Sequence, residues 1–336
     1  MRVFKCLLTL FLFFSMPADV QSFSGPLQVK NQFPMFIHAN PPYLEKALPE
    51  TSFSASLSHS SIFTVQNSGA WVIDMDMELT ELNLRYKHNM KSIGEFGIDL
   101  PFIAFGNGFL DGFLESFHDL IGDSDPYGRS GRPKDDFLYE IRHGQFTDLL
   151  AERGSGVPGN TAVVLGRTGT GLGDIRLTFK RPLIVTERYT LSIKGALELP
   201  TGDAKEGYGN GSADAGLYIL YDRLLTDNIM SHWNMGAVFP GDVKGYITID
   251  LKNFIYGGAA IEIDISQKWD ILFQLQAQSP VYPETDLLAI DENAYLLVFG
   301  CRYYKDNNSI EFSITEDMNS TGAPDVTANL SYKLNL

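Results

Sequence analysis

The sequence is poor in cysteine, in basic residues and in long apolar segments. Two cysteines, Cys6 and Cys301, are too few for a framework of disulfides. Basic residues number 26 against 41 acidic ones, and the net charge of −15 leaves no surface suited to a phosphate backbone, so nucleic acid is not an expected partner. The longest strongly apolar run, residues 6–14, is far shorter than the roughly 20 residues that a transmembrane helix needs.

The first residues contain an export signal instead. A basic start is followed by an apolar centre over residues 6–14 (CLLTLFLFF) and by a polar end with small residues before a cleavage point after Ser22. We predict a signal peptide over residues 1–22 and a mature single domain over residues 23–336. Because only Cys301 remains in that domain, its stability must come from backbone pairing or burial rather than from a disulfide.

The mature chain is dominated by alternation of apolar and polar residues over stretches of about 8 to 12 positions, which is typical of strands with two unlike faces. The final stretch shows the pattern most clearly, since every second residue from Val326 to Leu336 is apolar or small. Aromatic residues at 12% and 31 glycines agree with strands separated by many turns. The alternation predicts strands at about 52–65, 70–87, 91–104, 172–185, 189–200, 213–225, 229–239, 250–265, 268–278, 294–304, 309–316 and 325–336.

The links between these strands alternate in length. Short links such as 186–188 and 266–268 alternate with longer ones such as 201–212 and 279–293, and the brief first link, near 66–69, is the exception. Short links therefore gather at one end of the sheet and long links at the other, as do the periplasmic turns and external loops of an outer-membrane barrel. The even number of strands would place both termini in the periplasm.

These features predict an all-β fold: a closed antiparallel up-and-down transmembrane β-barrel of about 12 strands in the outer membrane of a Gram-negative bacterium. The alternative is an exported soluble sandwich or propeller, in which the two strand faces would meet core and water. The last strand favours the barrel, because its alternation continues to Leu336 at the end of the chain, although an aromatic residue usually closes such an insertion signal. We accordingly expect outer-membrane lipid and, through this strand, the barrel-assembly machinery as partners.

Four stretches of the sequence resemble a known family. They are PLQVKNQFP at residues 26–34, VIDMDMELTELNLRY at 72–86, GFLDGFLESFH at 108–118 and EDMNSTGAPDVTANLSYKL near the C-terminus. These stretches resemble DUF3187, a family of bacterial proteins whose members look like outer-membrane barrels. The resemblance implies the fold and the location, and it carries no activity that would transfer to this chain.

If the apolar strand faces meet lipid, the charged residues of the opposite faces line the lumen and form the candidate site. Both signs of charge occur, so these residues can pair internally, whereas the acidic cluster of Asp74, Asp76 and Glu78 would favour cations. Apolar parity changes within the strand that holds this cluster, and the change predicts a β-bulge near Thr80. The predicted lumen residues are Asp74, Asp76, Glu78, Arg176, Lys180, Lys194, Glu198, Glu262, Asp264, Arg302, Glu311 and Lys333.

The connection over residues 105–171 is too long for an idle loop. Its apolar residues between 109 and 121 follow helical spacing, which predicts a short amphipathic helix in a long external loop. Asp111, Glu115 and His118 in this helix are of the types that bind a divalent metal or act as acid and base. We favour an apolar face that rests on the barrel wall or the lipid interface, with the polar face in water, and a further variant is a helix that folds inward as a plug. We predict no metal site and no cofactor.

The bore of a barrel with about 12 strands lies between the filled interior of eight-stranded barrels and the open channel of 16-stranded porins. The leading prediction is therefore a narrow pore or channel for small molecules or ions. The alternatives are a structural or partner-binding barrel and a lipid hydrolase. His59 and His232 each stand next to serine in a strand, but sequence neighbours point to opposite faces and cannot pair. We predict no catalytic residues and no enzyme activity.

Overall fold

A computed structural model describes residues 23–37, 39, 41–107, 136–144, 162–318, 322–324 and 326–336 of the chain. The predicted signal peptide lies outside these residues and stays a prediction. The helix predicted in the long connection, with Asp111, Glu115 and His118, also lies outside the described residues.

Twelve long strands pair antiparallel in a closed ring. In chain order the strands of the described residues are β1 (Ser52–Asn67), β2 (Trp71–Asn89), β3 (Glu95–Gly106), β4 (Leu138–His143), β5 (Ala162–Leu165), β6 (Gly169–Leu172), β7 (Ile175–Val185), β8 (Tyr189–Leu199), β9 (Asp214–Thr226), β10 (Ile229–Phe239), β11 (Val243–Lys244), β12 (Thr248–Ile249), β13 (Phe254–Ser266), β14 (Trp269–Gln278), β15 (Ala294–Lys305), β16 (Asn308–Asp317) and β17 (Val326–Asn335). The ring runs β1, β2, β3, β7, β8, β9, β10, β13, β14, β15, β16 and β17, and β17 pairs again with β1. The predicted fold class, a closed antiparallel barrel of 12 strands, is confirmed.

The wall of the barrel extends further at the end where the long loops lie. β1 and β2 have 16 and 19 residues, well beyond the roughly 9 to 11 that a tilted strand needs to cross a membrane. β4 pairs with the far part of β2, β5 pairs with β4, and β6 pairs with β3, so these short strands extend the wall at this long-loop end. Helices α1 (Pro34–Ile37) and α2 (Leu288–Asp291) have four residues each, and no helix of the described residues is long and apolar enough to cross a membrane.

The wall is apolar on its outer face and polar on its inner face. In β8 the side chain of Ile193 is 45% exposed on the outer face, whereas its neighbour Lys194 is 4% exposed on the inner face. In β16 Phe312 is exposed outward, and Glu311 and Ser313 are buried inward. This arrangement reverses that of a water-soluble domain and is the arrangement of a barrel surrounded by hydrocarbon.

In strand β2 the apolar side chains lie on the outer face in one half of the strand and on the inner face in the other half. Its pairing with β1 continues from end to end without a register shift, so the predicted β-bulge near Thr80 is wrong. Inner positions hold Arg85 and Glu81 towards the short-turn end and, at unchanged parity, Met77 and Ile73 towards the long-loop end. The apolar face changes from outside to inside because the strand extends past the apolar outer band of the barrel. In this extension the apolar side chains are buried inside the barrel, as they are in the core of a soluble domain.

The lumen is filled by N-terminal residues of the same chain, which no sequence pattern predicted. The described residues between 23 and 51 form this N-terminal plug, which begins at the short-turn end, where the backbone of Ser24 contacts Glu262. Helix α1 lies at its far point, and the chain returns to Thr51, whose Oγ1 accepts a hydrogen bond from the backbone N–H of Asn89. The plug thus crosses the lumen twice before β1 begins.

The main apolar core lies inside the long-loop half of the barrel. It combines the tip of the plug with inward side chains of the strands and with loop residues. A smaller cluster joins Leu27 and Val29 of the plug to Leu272 and Val298 of the wall. Members of the main core include Phe33, Met35, Phe36, Ile37, Trp71, Ile73, Met75, Met77, Phe105, Tyr139, Val238, Phe254, Tyr282 and Ile290.

Candidate functional site

The candidate site is the interface between the plug and the inner face of the barrel. Phe36 and Ala47, on the two halves of the plug, are fully buried. Two gaps between plug and wall have volumes of about 20 Å³ and about 10 Å³, which is room for one or two water molecules. The larger of these two gaps adjoins Glu45 and Lys87. At both places the plug leaves space for water and none for a larger solute.

Apolar contacts hold the tip of the plug. Phe33, Met35 and Phe36 are at most 1% exposed, and the ring centroids of the two phenylalanines are 6.0 Å apart. With Ile37 they pack into the main apolar core. Burying four such side chains stabilises the seated plug by roughly 6 to 12 kcal/mol relative to a plug with an exposed tip, at about 1.5 to 3 kcal/mol each. Complete withdrawal of the plug is therefore a rare event without an external driving force.

One carboxylate on the returning half of the plug is surrounded by four basic side chains of the wall. The Nζ atoms of Lys194 and Lys87 lie 2.7 Å and 3.1 Å from the carboxylate oxygens of Glu45. Arg85 and Lys180 lie further away, at 3.6 Å and 4.0 Å. Burial alone would raise the pKa of Glu45, but the four cations together outweigh it and hold this pKa well below its usual range. Glu45 is therefore ionised at neutral pH and ties the plug to the wall.

Glu50 makes a second ionic contact close to the short-turn end. Its Oε2 atom lies 2.8 Å from Lys333 Nζ and 2.7 Å from the Nζ of Lys46, which belongs to the plug, while its Oε1 atom lies 3.8 Å from Lys87 Nζ. Burial opposes ionisation, but the charge of Lys333, followed by that of Lys46, outweighs it, and the pKa of Glu50 is well below its usual range. The plug therefore meets the wall with two ionised carboxylates.

The start of the plug contacts a charged network of the wall. The backbone N–H groups of Ser24 and Gly25 donate to the two carboxylate oxygens of Glu262 at 3.1 Å and 3.0 Å, and Arg302 donates to the carbonyl oxygen of Gly25 at 2.6 Å. Arg302 also pairs with Glu262, and its Nε donates to Glu311 at 2.9 Å. These contacts attach the first residues of the plug to β13 and β15.

Polar contacts with β2 hold the middle of the plug. Lys30 Nζ lies 3.0 Å from Glu81, whose carboxylate also accepts a hydrogen bond from the hydroxyl of Tyr43 at 3.3 Å. The side-chain amide of Asn83 donates to the same hydroxyl at 2.7 Å. The guanidinium of Arg85 lies over the Tyr43 ring, 4.1 Å from its centroid. One strand of the wall therefore contacts both crossings of the plug.

Two glycines of the wall make room for leucines of the plug. A Cβ atom on Gly258 would lie 2.5 Å from the backbone oxygen of Leu275 and 2.9 Å from Leu44 Cδ2. One on Gly300 would lie 2.6 Å from the backbone oxygen of Phe312 and 2.9 Å from Leu27 Cδ1. Both glycines lie at inward positions inside strands, where glycine weakens pairing and often marks a close approach of another segment. The plug and the wall are therefore complementary in shape as well as in charge.

The structure brings together eight of the predicted lumen residues and separates the others. Asp264 lies on the inner face, half-buried, near the turn between β13 and β14. Asp74, Asp76 and Glu78 share the outward parity of Leu82, in the part of β2 beyond the apolar band. They therefore lie outside the lumen, and all three are buried, with 8%, 0% and 3% exposure. The residues buried on the inner face are Arg176, Lys180, Lys194, Glu198, Glu262, Arg302, Glu311 and Lys333.

Neither histidine considered for catalysis pairs with a serine beside it. His232 is buried in the lumen, with Nδ1 2.7 Å from Asp222 and Nε2 3.1 Å from Glu262. His59 lies on the outer face, with Nδ1 2.8 Å from the hydroxyl of Thr80. In the part of the chain that the structure describes, no group of three or more His, Cys, Asp or Glu residues is placed to hold a metal ion.

The sequence contains two signals of the plug. Residues 23–51 include five prolines and no strand period, yet they carry apolar residues that an idle tail has no reason to carry. The second signal is in the wall, where Lys87, Lys194 and Lys333 occupy inward positions and make their ion pairs with the plug. The second signal can be read only once the barrel register is known.

A closed 12-stranded barrel with an apolar outer face and a polar lumen defines an outer-membrane type of β-barrel. The chain belongs to the family described as Protein of unknown function (DUF3187), whose model matches residues 4–336. Among solved structures, the COG4313 outer membrane channel from Pseudomonas putida F1 is similar, with 12% identity over 87% of this chain and 97% of that chain and a TM-score of 0.53, which shows the same fold. The NanC porin (7% identity, 85% and 100% covered, TM-score 0.46) and the Pseudomonas putida toluene transporter TodX (11%, 86% and 91%, 0.41) are also similar. No curated protein matches this chain.

Proposed function

We propose that this protein is a channel of the outer membrane of a Gram-negative bacterium and that the N-terminal plug closes it at rest. One observation carries the proposal: a segment of the same chain occupies the lumen and is held by non-covalent contacts, among them the ion pairs of Glu45 and Glu50. A purely structural barrel has no need of a separate segment that crosses its lumen twice. The fold shared with the Pseudomonas putida outer membrane channel supports the proposal.

The inner faces of β14 and β16 support an aqueous lumen. Polar side-chain atoms of Gln274, Ser309, Ser313 and Thr315 are buried on these inner faces and have no hydrogen-bond partner among the described residues. A buried polar group without a partner costs about 1 to 3 kcal/mol, and a packed protein core avoids such groups. A wall that meets water when the plug moves accounts for these side chains better than a wall that is permanently covered.

The direction of plug movement follows from where its ends lie. Ser24 and Thr51 both lie at the short-turn end, which faces the periplasm in outer-membrane barrels. We therefore place the exit of the plug on the periplasmic side. In this proposal the apolar outer band contacts membrane lipid, β17 is the strand that the barrel-assembly machinery recognises, and the permeant is a small molecule or ion. The protein has no enzyme activity of its own.

A disulfide between plug and wall tests the proposal. The Ser192 hydroxyl donates to the carbonyl oxygen of Ala47 at 2.7 Å, so Ala47→Cys with Ser192→Cys, in a Cys301→Ser background, places one thiol on each side of this contact. We expect no open events from the oxidised protein in planar bilayers, and recovery of the events of Cys301→Ser after reduction. Each single-cysteine variant is a matched control.

Two results of this experiment would contradict the proposal. Equal conductance before and after reduction, with the disulfide verified by mass spectrometry, would exclude the plug as the gate. Silence of every variant, including those that weaken the plug, would exclude a channel and leave a structural or partner-binding barrel.

A further inference from the structure

Three lysines of the wall take their carboxylate partners from the plug. Lys194 pairs with Glu45, Lys333 pairs with Glu50, and Lys87 lies within ion-pair distance of both. Among the described residues, no carboxylate of the wall lies within ion-pair distance of these three lysines. The charges of the wall are therefore balanced at this level by residues that leave with the plug.

The other two basic residues near Glu45 have partners in the wall. Arg85 donates to both carboxylate oxygens of Asp99, at 2.8 Å and 3.1 Å, and Lys180 Nζ lies 3.0 Å from Glu95. These two pairs persist whether the plug is seated or not, and they neutralise the acidic residues of β3. The wall carboxylates closest to the three lysines, Glu95 and Glu311, are already paired with Lys180 and Arg302, so the uncompensated charge of the unplugged wall at this level is positive.

From this imbalance we propose that Lys87, Lys194 and Lys333 form an anion-binding site of the open channel that takes a dicarboxylate solute. In the closed state Glu45 and Glu50 occupy this site in place of the solute. The inference rests on the proposed function, because it requires that the plug moves. It adds the class of permeant that the channel selects.

The seated plug shows what the site accepts. Lys87 Nζ lies 3.1 Å from Glu45 and 3.8 Å from Glu50, so two carboxylates share one cluster of ammonium groups. Lysine is a compact charge with three rotatable donors, and it binds carboxylates in many orientations. A small solute with two carboxylates a few bonds apart supplies both negative charges together, whereas a neutral or cationic solute supplies none. The gap of about 20 Å³ beside these residues lies where such a solute would enter as the plug leaves.

Ion selectivity of the full-length protein in planar bilayers tests the site. The double variant Glu45→Gln with Glu50→Gln keeps the size of both side chains and removes both negative charges of the plug, so we expect more frequent opening. Under a potassium chloride gradient, its reversal potential should indicate a chloride preference of about fivefold or more for each uncompensated charge close to the pathway. Succinate should block this chloride current at lower concentration than acetate does, because only succinate carries two carboxylates.

Lysine variants separate the site from general charge effects. Adding Lys87→Gln, Lys194→Gln and Lys333→Gln to the double variant should abolish both the chloride preference and the difference between succinate and acetate. The matched control is Lys268→Gln, at an exposed position in a short turn, which should leave both properties of the double variant unchanged. Folding of each variant is verified by the change in gel mobility on heating.

The failures of the two proposals are distinguishable. A double variant that opens but shows no anion preference, or one that succinate and acetate block equally, would overturn the dicarboxylate site and leave the channel in place. A full set of folded variants that never conducts would overturn the channel itself.

Discussion

The tip of the plug provides the sharpest measurement of how firmly the channel is closed. Phe36 is fully buried in the main apolar core, and replacing a buried phenylalanine with alanine costs about 3 to 5 kcal/mol. If the plug leaves the wall as one unit, Phe36→Ala raises the unseated fraction by about 150-fold to about 5,000-fold. The change acts far from the charged half of the plug, so it separates tip packing from ion pairing.

Labelling of a buried thiol measures this fraction directly. Ala47 is fully buried on the returning half of the plug, and Ala47→Cys in a Cys301→Ser background reacts with a water-soluble maleimide only when the plug leaves the wall. We expect Phe36→Ala to raise the labelling rate by the factor given above. Phe312→Ala, at an outward position that does not contact the plug, is the control and should leave the rate unchanged. A change below about threefold in Phe36→Ala would refute the reasoning that the tip holds the whole plug.

Three further predictions follow from named contacts. The pKa values of Glu45 and Glu50 are lower in the seated plug than the value of about 4.3 in an unfolded chain. Their ion pairs therefore stabilise the seated plug fully above that value, and this stabilisation is lost as the pH falls through the pKa values of the seated plug. The open probability of the wild type should accordingly rise below about pH 4, and that of the double glutamine variant should not. Gly258→Val should crowd both Leu44 of the plug and the backbone of Leu275 in the wall and raise the labelling rate by at least about fivefold, whereas Gly195→Val, where no atom lies within 4 Å of the new Cβ, should not. Purified protein should hydrolyse no phospholipid or ester, and turnover that disappears in His59→Ala would contradict a role limited to transport.

The positions of the strands were predictable because the two environments of the wall each require one type of side chain. Between hydrocarbon outside and a polar lumen inside, every residue of a strand must suit one or the other, and β10 lies at the predicted residues 229–239. The predicted strand at 250–265 begins later, at Phe254. Leu251 packs against the apolar core from a loop, so its apolar character extends the alternating pattern beyond the end of the strand.

Parity alone was not sufficient to place Asp74, Asp76 and Glu78. Alternation reveals that two faces differ, and it contains no information on which solvent each face meets. Only the unbroken register with β1 connects the polar inner position of Arg85 to the apolar inner position of Ile73. Where a strand leaves the hydrocarbon, the apolar side turns inward without any change in the backbone, and the sequence then looks the same as one with a bulge.

The plug escaped prediction because it has no period, yet the wall encodes its presence. Once the register is known, Lys87, Lys194 and Lys333 are inward positive charges that, among the described residues, have no carboxylate of a neighbouring strand within ion-pair distance. Buried charges persist in proteins when they are paired, so the wall requires carboxylates from elsewhere in the chain. Residues 23–51 precede the first strand, are rich in proline, and supply two such carboxylates close together in sequence. A cluster of inward lysines without wall carboxylates in ion-pair distance therefore predicts either an internal plug or an anionic solute, and in this protein the plug supplies the carboxylates.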